Sequence, residues 1–218
     1  EDDLYAVAVN ETGTFAAVGD RGGIWYSNNG KEAWTQGNAF GSSSLMDVRY
    51  CNDAFWAVGE GGVILRSSDG SIWKATHEKP KQEVEGITYG DGKFVAVGSN
   101  EDGNSLTLIS SNGTEWKESG KSLPNATFKS ITYHKGIFVV AGSHFDKDGG
   151  FVGLLASSSK PTSEWAVSHE TNGAMILSIN SFGDWLAAFG SDGLILTSLD
   201  GKTWGKHESK TKQNLDCC

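Results

Sequence analysis

The sequence predicts an all-β chain, a five-bladed β-propeller built from four-stranded antiparallel blades. Three observations predict it. Tryptophans at Trp34, Trp73, Trp116, Trp165 and Trp204 return about every 40 to 50 residues, the period of a propeller blade. An apolar stretch precedes each: "FAAVG" from Phe15, "FWAVG" from Phe55, "FVAVG" from Phe94, "FVVAG" from Phe138 and "WLAAFG" from Trp185. Between them lie short alternating runs bounded by Gly, Asn and Asp, with 29 glycines and 3 prolines in 218 residues and no helical period long enough to compete.

The second copy shows the strands in order. "MDVRY" alternates, turns through "CNDA" and continues as "FWAVGE"; "GGVILRS" follows, then the turn "SDG", then "IWKAT". This phasing gives one domain over 1–218, with blades at 4–40, 44–80, 83–124, 127–171 and 175–208 and a tail at 209–218. Five blades would close a small ring. The first copy opens with its inner strand "LYAVAV" and the last ends with its outer strand, so no strand is exchanged across the seam. Closure then falls to the tail, by packing or by a bridge from Cys51 to Cys217 or Cys218.

The corners preceding the tryptophans are read as structural staples: Ser67, Asp69, Gly70 and Trp73, then Ser110, Asn112, Gly113 and Trp116, then Ser198, Asp200, Gly201 and Trp204. Asp-Gly and Asn-Gly accept the positive φ that a tight hairpin needs, and the Asx side chain can bond nearby N–H groups. The indole three residues on is placed to plug the turn from below.

These corners and the "FVAVG" stretches resemble the Asp-box propellers of the sialidase superfamily. They are also similar to the repeats of photosystem II assembly factors and of bacterial proteins carrying "FVAVG" followed by "SSDG..W". The resemblance covers all five copies and implies a propeller. The usual Asp-box has a residue between Asp and Gly that this chain lacks, which favours the simpler repeat over true sialidases.

A net charge of −9, a pI near 5.0 and only three arginines leave no cationic footprint for a phosphate backbone, so nucleic acid is not the expected partner. No apolar run approaches the roughly 20 residues that span a bilayer, so no membrane insertion is expected. Three cysteines make no disulfide framework and no zinc spacing. Sequons stand at Asn10, Asn112 and Asn125, though Asn112 already has a turn to explain it. The opening "EDDLYAV" fits a mature N-terminus after signal cleavage or an ordinary boundary, and the reading leans towards a secreted or extracytoplasmic protein.

Inner strands line a propeller's channel and loops at one mouth usually bind ligands. Val9, Val48, Ile87, Ile131 and Ile179 are expected in the core, as are Trp25 and Trp56. The opposite face of the inner strands gives the channel candidates Asp47, Arg49, Thr88, Ser130, Thr132, Ser178 and Asn180. A glycosidase needs two carboxylates flanking the bond. Among the inner strands only Asp47 is acidic, and Arg49 two residues on should hold it ionised. The sialidase arginine cluster does not carry over, no nucleophile elbow occurs, and no cofactor site or catalytic residue is expected. Asp146 and Asp148 only faintly suggest a calcium loop, with no bidentate Glu to follow. The loops that exceed the repeat offer the partner contacts: Glu101 and Asp102 in "SNEDGNS", and Phe145, Asp146 and Asp148 in "SHFDKDGG". The expectation is a non-enzymatic recognition or assembly module that binds a protein through one rim. A lectin and a degenerate glycoside hydrolase are the alternatives.

Overall fold

Each repeat folds into its own antiparallel sheet, strands in chain order from the axis outward. The computed structural model describes residues 3–31, 33–38, 40–119 and 121–216. Blade 1 holds β1 (Leu4–Val9), β2 (Phe15–Gly19), β3 (Ile24–Ser27) and β4 (Thr35–Gln36). Blade 2 holds β5 (Leu45–Cys51), β6 (Ala54–Gly59), β7 (Ile64–Ser67) and β8 (Lys74–His77). Blade 3 holds β9 (Glu83–Gly90), β10 (Lys93–Ser99), β11 (Ser105–Ser110) and β12 (Lys117–Glu118). Blade 4 holds β13 (Ala126–His134), β14 (Ile137–Phe145), β15 (Phe151–Ser158) and β16 (Ala166–Glu170). Blade 5 holds β17 (Ile176–Phe182), β18 (Trp185–Gly190), β19 (Ile195–Ser198) and β20 (Gly205–His207). The chain is a β-propeller, and no helix is long and apolar enough to cross a membrane among the described residues.

A strand alternates its side chains, so each blade has two apolar faces, and each face is buried only by the blade beside it. Four clusters do this. Between blades 1 and 2, Ala16, Val18 and Ile24 meet Leu45, Val48, Phe55 and Trp73. Equivalent sets join blades 2 to 3, 3 to 4 and 4 to 5. Trp56 is in this core, whereas Trp25 is half-buried. At about 1.5–3 kcal/mol for each large apolar side chain buried, these junctions supply most of the cohesion.

The five blades, expected to close a ring with the tail as latch, do not bring the first and last inner strands together. The inner strands β1, β5, β9, β13 and β17 pack in succession, but β17 and β1 do not pack against each other in this way. Val9, expected in the core, is 48% exposed because no sheet covers that face of blade 1. The tail runs along blade 5, with the Gly193 N–H bonded to the Gln213 carbonyl and the Leu215 N–H to that of Gly190. The expected bridge from Cys51 to Cys217 or Cys218 falls on residues outside the described ones.

Every inner strand carries one extra residue near its start. The register slips between Leu4 and Ala6, Leu45 and Asp47, Phe128 and Ser130, and Ile176 and Ser178, and blade 3 slips at the same level. Such a bulge re-aims the side chain of the added residue. The glycine ending each "FVAVG" stretch makes room for it. A Cβ on Gly98 would lie 1.9 Å from the Glu83 carbonyl oxygen, and one on Gly59 would lie 2.1 Å from that of Ser44.

The staples form as bonded corners, but not as two-residue hairpins. Six residues separate β7 from β8, and only Gly70 takes positive φ, at 81°. Ser67 Oγ accepts the Gly70 N–H at 2.9 Å, Asp69 Oδ1 accepts those of Ser71 and Ile72, and the Trp73 indole donates to the Gly70 carbonyl at 2.9 Å. The corners at Ser110 and Ser198 repeat the serine and Asx bonds. The tryptophans also reach the preceding blade: Trp116 to Thr76, Trp165 to Thr107 and Trp204 to Ser168. The truly tight turns join first to second strands, as at Asn52–Asp53 with φ of 49° and 59°.

Gly98→Ala should cost about 3 kcal/mol, since backbone must move. Gly92→Ala, at φ 69° with nothing within 4 Å, should cost only about 1 kcal/mol. Urea unfolding compares them, and equal costs would contradict the bulge account. The staple carboxylates give a pH test. Backbone N–H groups of Thr203 and Lys202 hold Asp200 down to about 2 from an ordinary 3.8. Its folded value is depressed, so its stabilisation is full above the unfolded value and is lost as pH falls from about 4 to about 2. Asp200→Asn keeps the acceptor, as Asn112 does naturally. Its melting temperature should lie below the parent's at pH 6 and converge with it near pH 2.5; a gap independent of pH would contradict this.

Candidate functional site

The five bulges converge on one mouth of the channel. Their added residues, Tyr5, Met46, Glu85, Lys129 and Leu177, stand level with one another around a depression of about 310 Å³. Asp216 of the tail lines it too. Sequence reasoning missed this ring, because the added residue has no compositional mark. The recurring glycine at the end of each "FVAVG" stretch was the one signal that pointed to it.

Of the channel candidates, Asp47, Arg49, Ser130 and Ser178 line the same depression. Asn180 joins them through Arg49, whose Nη1 donates to Asn180 Oδ1 at 3.2 Å across the channel from blade 2 to blade 5. Thr88 and Thr132 lie farther along their strands, half-buried, and do not line it.

Several of these groups are committed to holding the blades together. Asp47, 7% exposed, accepts from Arg49 Nε at 3.1 Å and from the backbone N–H of Ile87 in the next inner strand at 3.3 Å. Ser130 Oγ accepts the Ile179 N–H at 3.2 Å, the same tie between blades 4 and 5. With its oxygens engaged by a guanidinium on its own strand and a backbone N–H of the next, the Asp47 carboxylate serves as a strut between blades.

Glu85 and Lys129 form an ion pair between neighbouring bulges. Burial raises the Glu85 carboxyl above its ordinary range, and Lys129 opposes that rise while Glu83 and Glu60 add to it. Three carboxylates, Asp47, Glu85 and Asp216, thus face two cations, Arg49 and Lys129, around the depression.

The two long loops open on this same mouth. Ser99 pairs with Glu83 and His144 with Ala126, both at the starts of inner strands, so the β10–β11 and β14–β15 loops stand beside the bulge ring. In the first, Asn100 Oδ1 accepts the N–H groups of Asp102 and Asn104, and Glu101 pairs with Lys81 at 3.0 Å. In the second, Asp146 Oδ1 accepts the N–H groups of Asp148 and Gly150 at 2.9 and 2.7 Å. That carboxylate braces its own turn, and no three His, Cys, Asp or Glu side chains converge to hold a metal among the described residues. Phe145 and Phe151 close the base of this loop, ring centroids 4.7 Å apart and both exposed. Cys51 lies at the far mouth, where burial pushes its thiol up to about 12 and leaves it unreactive as a nucleophile.

No protein-family model matches the chain. No curated protein matches it either. Solved structures do. YCF48 from Cyanidioschyzon merolae is 16% identical with a TM-score of 0.66, over 97% of this chain and 74% of that one. A structure of YCF48 bound to D1 peptide is 15% identical with a TM-score of 0.52, over 97% and 83%. The computationally designed Ika8 protein is 11% identical with a TM-score of 0.65, over 96% and 63%. At these identities the likeness is one of fold.

Lys129→Met tests the ion pair. It leaves Glu85 buried without a counter-charge and should cost about 1–3 kcal/mol at pH 7.5. A carboxyl whose folded pKa is raised loses stability as pH rises through the window above its unfolded value, so the deficit should shrink as pH falls towards 4.5. Urea midpoints at both pH values decide it, and a deficit that grows in acid would refute the assignment.

Proposed function

We propose that the chain is a non-enzymatic recognition or assembly module that binds an extended segment of a protein partner across the bulge-ring mouth. The observation that carries this is convergence. The channel depression, the excess of carboxylate over cation and both long loops, with the exposed Phe145–Phe151 pair, share one rim. Exposed aromatic pairs supply apolar contact at low entropic cost, and the acidic excess favours a segment bearing Lys or Arg. That YCF48, a propeller of similar fold, has been captured bound to a D1 peptide supports the peptide mode of binding. The resemblance to photosystem II assembly factors supports the same class.

Chemistry on a bound substrate has little support. The inner-strand carboxylate Asp47 is a strut, and Glu85 is engaged with Lys129. No sugar-platform arrangement recurs from blade to blade; what recurs is the staple.

Panning a random peptide display library on the chain should enrich cationic sequences with one or two apolar residues. Phe145→Ser with Phe151→Ser should weaken their binding about tenfold, and added salt should weaken it further. Lys135→Glu, at the far mouth, should leave it unchanged. Binders lost with Lys135→Glu but indifferent to the phenylalanines would overturn the rim assignment. Hydrolytic turnover of a glycan panel abolished by Asp47→Asn would overturn the non-enzymatic reading.

A further inference from the structure

The mouth offers a partner two fixed anchor points, and the register of blade 4 gives the distance between them. The first is apolar. Phe145 and Phe151 are level across β14 and β15 and stand beyond the covered part of the blade, 55% and 45% exposed. Alternation puts them on the face that Leu155 turns towards blade 5, where a Cβ on Gly153 would strike the Ala174 carbonyl. Their base is rigid. The Phe145 N–H bonds the Asn125 carbonyl at 3.4 Å, and the Asp146 N–H bonds that of Gly150 at 2.9 Å. His144 spans Glu170 Oε1, 2.9 Å from its Nε2, and the Phe145 carbonyl, 3.2 Å from its Nδ1.

The second anchor is ionic. Glu85 lies in the depression beside Lys129, and Glu83, two residues before it on β9, is joined to Glu60 by a backbone bridge. Lys129 is the added residue between Phe128 and Ser130, whose partners on β14 are Gly142 and Ala141. Phe145 therefore lies three to four residues farther along the strand, a rise of about 12 Å at about 3.3 Å per residue. The aromatic pair straddles β14 and β15, so it also stands outward from β13 by between one and two strand spacings, about 7 Å. Together these place the anchors about 14 Å apart, which an extended chain covers in about four residues. Side chains of such a chain alternate, so only residues an even number apart face the same surface. Separations of three and five turn one side chain away, while two and six span about 7 and about 20 Å.

We propose, resting on the peptide-binding reading above, that the mouth selects a segment whose arginine or lysine and whose large apolar residue stand four positions apart. The apolar residue packs on Phe145 and Phe151, and the cation enters the depression beside Glu85. A long side chain with an apolar stem suits that depression, because Met46 and Leu177 line it along with the carboxylates. Rigid anchors make the separation selective, since a segment of the wrong spacing keeps one contact and loses the other.

Fluorescence anisotropy tests this with short Ser/Thr peptides that carry one Arg and one Phe, in both orders, at separations from two to six. In the better order, separation four should bind at least about fivefold tighter than three or five. Replacing its Arg with citrulline should weaken binding about fivefold on the parent and little on Glu85→Gln. Phe145→Ser with Phe151→Ser should erase the dependence on separation. The separation series and the citrulline peptide need only the parent protein, so they decide the matter even where Glu85→Gln does not fold. Equal affinity at every separation, or an optimum at three or five, overturns the proposal. So does a dependence on separation that survives the loss of both phenylalanines. Binding that ignores separation yet weakens with the phenylalanine variant leaves the peptide-binding reading standing without the spacing. If no peptide binds and the display library yields no binder, both fall.

Discussion

A blade of this repeat cannot bury its own core. Its sheet is one layer thick and apolar on both faces, so the cohesion of each blade resides in its neighbours. The rest of the structure follows from that constraint. Radial stacking satisfies both faces of blades 2, 3 and 4, and the staple tryptophans of blades 3, 4 and 5 each bond the blade before them. The polar groups of the inner strands obey the same demand, since Asp47 and Ser130 bond the backbone of the next inner strand.

Stacking also builds the mouth. Inner strands crowd near the axis, and a bulge in each one turns an additional side chain towards it, with a glycine opposite because a Cβ would strike the bulged backbone. The five positions are geometrically equal and chemically unlike: Tyr5, Met46, Glu85, Lys129 and Leu177. A rigid frame with variable side chains at its centre suits recognition, and the longest loops rise beside it. In blades 2 to 5 the turns at the far mouth are only two residues long, which leaves little to vary.

Much of this was legible in the sequence. The Phe-to-Gly stretches and the tryptophans set the number and phase of the blades, and Asp47 beside Arg49 announced an ion pair. The loops at Glu101 and Phe145 stood out by exceeding the repeat. The bulge ring was hidden, because one added residue in an alternating strand leaves its composition unchanged. The open seam between blades 5 and 1 was hidden for a related reason. Leu4, Val7 and Trp34, exposed here, are the residue types of a buried junction whether or not a sheet lies against them. The staple corners were legible in their bonds but not in their length, since the serine and Asx networks span a six-residue loop.

The central claim is that burial on both faces by neighbouring blades holds the structure together. Amide hydrogen exchange along the chain measures this directly, because exchange tracks the local free energy of opening. The account predicts slowest exchange in β9 and its neighbour β10, at the middle of the stack. Protection should fall towards both ends, with β1 and β17 opening well before β9. Uniform protection across all five inner strands would contradict it, since β1 would then have a covering that this structure does not show.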